Sequence, residues 1–286
     1  MLVPPTEGLK VAKYASGAGY APDQWARALA GVDWSKAELL SDKPTSSVWR
    51  AELVVQKRPM TLVIKCEPIN SLKRKVQKFL HTTHAYRQWR GANLLYESGI
   101  GAADPKAVVY GRRDGAIIEC LIMEALPGRS LLRHIADQDQ GVREQHQIAR
   151  ALGGLIASMI RKRLVNADPK PSNIVVTRAS GAIALGFVDT VDIKKVSGFL
   201  ADNDADVWFM LRDLLLEPMG VGRPVRRALA MRVLRSLWNG SGSRSAWRAW
   251  RNEWWGGVSE LVQAHGDPTP EHNPLGPASS TSPEGG

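Results

Sequence analysis

The sequence predicts an α+β chain in two lobes, and three observations carry that prediction. Strand-like apolar runs crowd residues 40–126, helical periodicity takes over after Pro127-Gly128, and no internal repeat of solenoid or propeller length is visible. With 286 residues, 44% of them hydrophobic, the chain is long enough to bury such a core and too apolar for wholesale disorder.

Residues 1–39 read as an N-terminal extension. They lack the charged start, apolar stretch and cleavage site of a secretory signal, and no apolar run of membrane-spanning length follows, so a soluble, cytoplasmic protein is expected. Gly17-Ala18-Gly19 has no strand before it and no glycine series after it, which argues against a dinucleotide loop. The smaller, β-rich lobe spans 40–126. Within it WRAELVV and MTLVIK flank the polar turn QKRP as a hairpin. The charged, proline-free stretch Ser71 to Glu97 reads as one long helix stopped at Ser98-Gly99, and KAVVYG and AIIECLIMEA form two more strands around RRDG.

The larger, helical lobe spans 127–265. Ile148, Leu152, Leu155, Ile156 and Met159 share one face of an amphipathic helix. NIVVT and ALGFVDT are two short strands around a turn, and beyond Asn203 the chain is helical, with Ala230, Val233, Leu234, Leu237 and Trp238 on one face. The end, residues 266–286, is rich in Pro, Gly and Ser and reads as a disordered tail.

A formal charge of +10 implies an anionic partner. Lys73 to Arg90 holds six basic residues and no acid, and Arg223 to Arg251 eight arginines and no acid. Each is either an anion-facing surface, including one on the inner membrane, or a solvated helix face. No recognised motif accompanies them, so nucleic acid is not the expected partner. Cys66 and Cys120 lie in apolar runs and read as buried thiols, and His81 and His84 have no Cys or carboxylate close in sequence to complete a metal site. Trp247, Trp250, Trp254 and Trp255, interleaved with Arg248 and Arg251, serve either core packing or an interface with sugars or membrane. Asn239-Gly240-Ser241 is a glycosylation sequon by pattern only.

The chemistry concentrates in LVNADPKPSNIVV and GFVDT. Asp168 and Asn173 stand five residues apart in a proline-bearing loop between helix and strand, and Asp189 follows sixteen residues later. Phosphoryl transfer to a hydroxyl needs a carboxylate to orient the nucleophile and oxygen ligands for magnesium, and these three residues supply that set. Alone, the segment reads equally as a turn of ordinary turn formers.

The order of motifs resembles the protein-kinase superfamily. Asp168 and Asn173 are spaced as in its catalytic loop, Lys170 lies two residues past the Asp, and Asp189 matches the metal-binding Asp after the next hairpin. LVIKCEP is similar to the strand bearing the nucleotide lysine, and MEALPGRSL to the hinge between lobes. The resemblance implies a bilobal protein-kinase-like fold binding ATP and Mg²⁺. Asp168 would be the catalytic base, assisted by Lys170, with Asn173 and Asp189 as metal ligands. Lys65 would meet the α- and β-phosphates, and Glu124 and Leu126 would offer backbone groups to adenine. Taken alone, Lys65 reads as an edge-strand charge.

From Leu40 to Val196 the chain is most similar to bacterial lipopolysaccharide kinases that phosphorylate inner-core heptose or Kdo, through SSVWRAEL and AYRQWRGANLLYESGIGAADP. That implies an ATP- and Mg²⁺-dependent phosphotransferase acting on an anionic glycolipid, cytoplasmic or peripheral to the inner membrane. Three departures stand out. The loop SDKPTSSVWR has no glycine, leaving Ser46 and Ser47 to meet the phosphates. Asn166 and Ala167 replace the usual His and Arg. Gln88 stands where a Glu would pair with Lys65. These departures keep open a pseudokinase scaffold, and Lys170 keeps open a protein Ser/Thr kinase.

Overall fold

The computed structural model describes residues 2–15, 20–137, 140–179, 181–197, 205–238 and 243–275. The chain divides into two compact units. One comprises Met1–Glu97, Ala102–Leu126 and Asp189–Val191; the other comprises Ser98–Gly101, Pro127–Val188 and Asp192–Gly286.

The first unit is built on an antiparallel sheet of six strands: β1 (Glu7–Tyr14), β2 (Glu38–Lys43), β3 (Ser46–Val55), β4 (Arg58–Pro68), β5 (Pro105–Arg113) and β6 (Ala116–Glu124). Their spatial order is β1-β5-β6-β4-β3-β2. Because successive strand residues face opposite ways, Leu62, Ile64 and Cys66 of β4 enter one core, with Ala107, Val109, Cys120 and Ile122 of the neighbouring strands. Helix α1 (Pro22–Ala30) closes that core with Trp25 and Leu29, both 0% exposed. Each such side chain contributes about 1.5–3 kcal/mol when fully buried. Cys66 and Cys120 are register partners on β4 and β6, and both thiols are free and buried.

The stretch read as an N-terminal extension therefore supplies part of the sheet and of its core. Ser71 to Glu97 is also not one helix. It forms α2 (Leu72–Phe79) and α3 (His84–Glu97). His81 takes a positive φ of 53°, and the Thr82 amide returns to Gln77 O at 2.8 Å. Thr82 and Thr83 are β-branched and resist the helix, and the Thr83 hydroxyl donates instead to Glu119 Oε1 at 2.8 Å.

The second unit begins its regular structure with β7 (Arg129–Ser130), α4 (Leu131–Ala136) and the long α5 (Val142–Arg161). Then come β8 (Leu164–Asn166), a 3₁₀ turn at Pro171–Asn173, β9 (Ile174–Ala179), β10 (Ala182–Phe187) and β11 (Ile193–Lys195). Helices α6 (Ala205–Gly220), α7 (Arg227–Leu237) and α8 (Arg244–Ala264) complete it. Strands β10, β9 and β7 make one small sheet, β11 and β8 another. Helices α5 and α7 approach so closely that a Cβ on Gly153 would lie 2.4 Å from Val233 O.

Four tryptophans form a ladder from the end of α7 along α8. Rings of Trp238 and Trp247 are 5.4 Å apart, Trp247 and Trp250 5.7 Å, and Trp250 and Trp254 4.7 Å. Trp254 is buried, which favours the packing role at that end. Of the expected tail, residues 266–275 lie within the described chain. Asp267 caps Thr269, and Pro268 O lies 2.1 Å from where a Gly220 Cβ would be, so this segment packs on the end of α6. Residues 276–286, the sequon at Asn239, and the segment 17–19 lie outside the described residues. Among the described residues no helix is long and apolar enough to cross a membrane.

Candidate active site

Lys65 sits between Ile64 and Cys66, whose burial on one face of β4 turns the lysine to the other. Its Nζ lies 3.1 Å from Asp189 Oδ2 and 3.4 Å from Gln88 Oε1. The first unit thus gathers three of the expected residues. Gln88 is 2% exposed, and its Nε2 rests 2.9 Å from Met123 Sδ. The charge that holds Lys65 is the Asp189 carboxylate, while Gln88 adds a neutral amide oxygen.

Asp189 is set by its own turn and by its neighbour. Its Oδ1 accepts from the Val191 amide at 3.2 Å, and the Thr190 hydroxyl donates to Gln88 O at 2.7 Å. Thr190 reaches α3 at Gly91, where a Cβ would meet Thr190 O at 1.9 Å. Only glycine permits that approach. Farther along β4, Glu67 accepts from Arg74 Nη1 at 2.5 Å and lies 3.1 Å from His84 Nδ1. Burial raises the Glu67 pKa, but the bonds from His84 and Arg74 outweigh it and hold the group at about 2, against an ordinary 4.5. A carboxylate does accompany His84, supplied by the fold rather than by the local sequence.

The second unit holds the loop with Asp168, Lys170 and Asn173. Strand β8 is buried throughout and pairs with β11, so Asn166 is fixed opposite Ile193. Asn166 Oδ1 accepts from the Asp168 amide at 3.0 Å, which shapes the loop from the position a kinase gives to histidine. Lys170 Nζ lies 2.7 Å from Asp168 Oδ1. Burial works to lower the Lys170 pKa, yet its bond to Asp168 and the charges of Glu217 and Asp213 raise it overall.

Two bonds from α6 pin the same loop. Glu217 accepts from the Ser172 amide at 2.7 Å and from the Ser172 hydroxyl at 2.5 Å. Burial raises the Glu217 pKa against the opposing pull of those bonds and of Lys170. The Asn173 carbonyl accepts from the Val188 amide at 2.9 Å, and Asp189 is the next residue in the chain. Glu217 and Thr190 escaped the sequence reading. Glu217 showed only as an acid inside the apolar run LRDLLLEPMG, and Thr190 only as the residue after Asp189.

Of the remaining expected residues, Ser47 is 0% exposed and donates to Leu2 O at 2.6 Å while accepting from Trp49 Nε1. Its hydroxyl ties down the N-terminal segment. Ser46 is half-buried at the head of β3, opposite Lys43 across a two-residue turn. Glu124 ends β6 with its side chain exposed, and the chain leaves the first unit after Leu126.

An apolar cavity of about 230 Å³ lies among α4, α5, α6, α7 and α8, lined by Leu131, Ile148, Leu152, Leu211, Leu229, Leu234, Trp254 and Val258 among others. Arg223 and Arg226 also contribute to its wall. No residue of the Asp168 loop does.

A mixed sheet-and-helix unit bearing a lysine and aspartate pair, followed by a helical unit bearing an Asp-x-x-x-x-Asn loop, defines a protein-kinase-like fold. No protein-family model and no curated protein matches the sequence. A solved structure of WaaP in complex with acyl carrier protein does match in fold, with a TM-score of 0.53 at 13% identity, over 80% of this chain and 88% of that one. This chain is thus similar in fold to WaaP, a lipopolysaccharide-core heptose kinase.

Proposed function

We propose that the protein is an ATP- and Mg²⁺-dependent phosphotransferase acting on a hydroxyl of an anionic acceptor, a lipopolysaccharide-core sugar or similar glycolipid. The observation that carries this reading is the Lys65–Asp189 ion pair at 3.1 Å, between two residues to which the kinase resemblance gives the nucleotide-lysine and metal-ligand roles. In this scheme Asp168 accepts the acceptor's proton as its oxygen attacks the γ-phosphorus, and ADP leaves. Lys170, bonded to Asp168, keeps the carboxylate oriented and offsets charge on the moving phosphoryl group. Lys65 meets the α- and β-phosphates, and backbone groups at Glu124 and Leu126 meet adenine.

Magnesium is commonly held by one or two protein carboxylates plus substrate phosphates, so Asp189 and the side-chain amide oxygen of Asn173 are the residues that would hold it. Bound there, the metal would neutralise charge on the β- and γ-phosphates.

The test is phosphoryl transfer from Mg²⁺-ATP to lipopolysaccharide core acceptors. Asp168→Ala and Asp189→Ala should each lower turnover at least about a hundredfold. Undiminished transfer in Asp168→Ala would remove the base. Nucleotide binding without transfer in the wild type would favour the pseudokinase reading, and transfer only to Ser or Thr of proteins the protein-kinase one.

The WaaP structure was captured with acyl carrier protein, and the apolar cavity among α4 to α8 is of a kind suited to an acyl chain. A carrier-protein partner therefore belongs to the proposal. A melting temperature raised by acylated but not by unacylated carrier protein is the expected result.

A further inference from the structure

Helix α2 presents its faces in reverse. A helix on a globular surface ordinarily turns apolar residues inward and charges outward. Here Leu72, Val76, Phe79 and the capping Leu80 are 79%, 49%, 81% and 59% exposed, and no residue of the helix is buried. At 3.6 residues per turn these four side chains fall within an arc of roughly 100°. The side turned to the protein is the polar one. Arg74 is held by Glu67 at 2.5 Å, and Lys78 lies over the Tyr110 ring at 4.1 Å. Exposed Lys73 and Lys75 flank the apolar arc on either side, and no acid occurs between Lys73 and Arg90.

We propose that α2 is an interfacial anchor that seats the protein on an anionic lipid bilayer. The apolar arc enters the boundary between headgroups and acyl chains, and Lys73 and Lys75 meet lipid phosphates on either side. Arg74 and Lys78 fasten the helix to β4 and β5, so binding at α2 holds the whole first unit. Nucleic acid does not fit this face, because its centre is apolar, with Leu72 and Phe79 79% and 81% exposed. The inference rests on burial and charge and is independent of phosphoryl transfer.

Flotation of the full chain with vesicles of phosphatidylcholine and phosphatidylglycerol in equal parts tests it. The wild type floats with these and not with pure phosphatidylcholine, and binding weakens as salt rises. The double variant Leu72→Asp/Phe79→Asp loses at least about tenfold in bound fraction, and Lys73→Glu/Lys75→Glu does likewise. Because these residues are exposed, unchanged melting temperatures certify both variants as folded. Equal flotation of the Asp pair and the wild type overturns the proposal. So does equal binding to neutral vesicles, or capture of an acidic carrier protein through α2 with no flotation at all.

Discussion

Glu217 fixes the Asp168 loop through a single residue, Ser172, to which it makes two bonds. Replacing it by Ala leaves the Ser172 amide and hydroxyl without their acceptor, a loss of about 1–3 kcal/mol. If the loop works as proposed, Glu217→Ala lowers turnover more than it weakens nucleotide binding, and Glu217→Gln, which keeps an acceptor oxygen, recovers part of the loss. Comparing kcat with the nucleotide Kd for the three proteins checks this. Asp168, Asn173 and Asp189 could be singled out as candidates because their spacing is local and their residue types are chemically restricted. Glu217 was not, because it acts across 45 residues of sequence and nothing near it marks an acid as inward-facing. The bond of the Ser47 hydroxyl to Leu2 O was hidden for a related reason, since that partner is also 45 residues away.

Helix α3 carries Gln88 and meets the segment after Asp189 at Gly91. A methyl group there would lie 1.9 Å from Thr190 O, so Gly91→Ala must displace either the helix or the aspartate segment. The expected destabilisation is about 1–3 kcal/mol, read as a lowered melting temperature. Gly153→Ala should act similarly between α5 and α7, where backbone again blocks the space. At this scale the paired strands β3 to β6 were readable as short apolar runs around polar turns, and α5 from its apolar stripe. The break between α2 and α3 was not, because it contains neither Gly nor Pro. It depends on a left-handed His81 and on a Thr83 hydroxyl drawn to Glu119, a tertiary contact with no local signature. Strand β1 was missed because as an edge strand it is mostly exposed, and only Leu9 and Val11 pack against the core.

Across the molecule, two buried carboxyls give opposite responses to acid. Glu67 titrates at about 2 when folded against an ordinary 4.5, so it stabilises the protein above 4.5 and that share is lost as pH falls toward about 2. Glu119 is shifted upward, first by burial and against the bonds from Tyr110 and Thr83, so its contribution is fullest at low pH and declines as pH rises. Glu67→Gln is therefore expected to lower stability at neutral pH by about 2 kcal/mol and to flatten the acid limb of the melting curve. Glu119→Gln, which keeps an oxygen for Tyr110 and Thr83, is expected to raise the neutral-pH melting temperature. Melting curves from acid to neutral pH for the three proteins check both signs.

Strand β1, at one edge of the six-stranded sheet, is also what covers β5. Remove residues 1–14 and β5 becomes the edge, with a row of unpaired amides and carbonyls beside Ala107, Val108 and Val109, all 0% exposed in the intact chain. Such an edge is a template for a second copy of itself. The truncated chain is expected to self-associate in light scattering at concentrations where the intact one does not, which makes the N-terminal segment a guard against polymerisation.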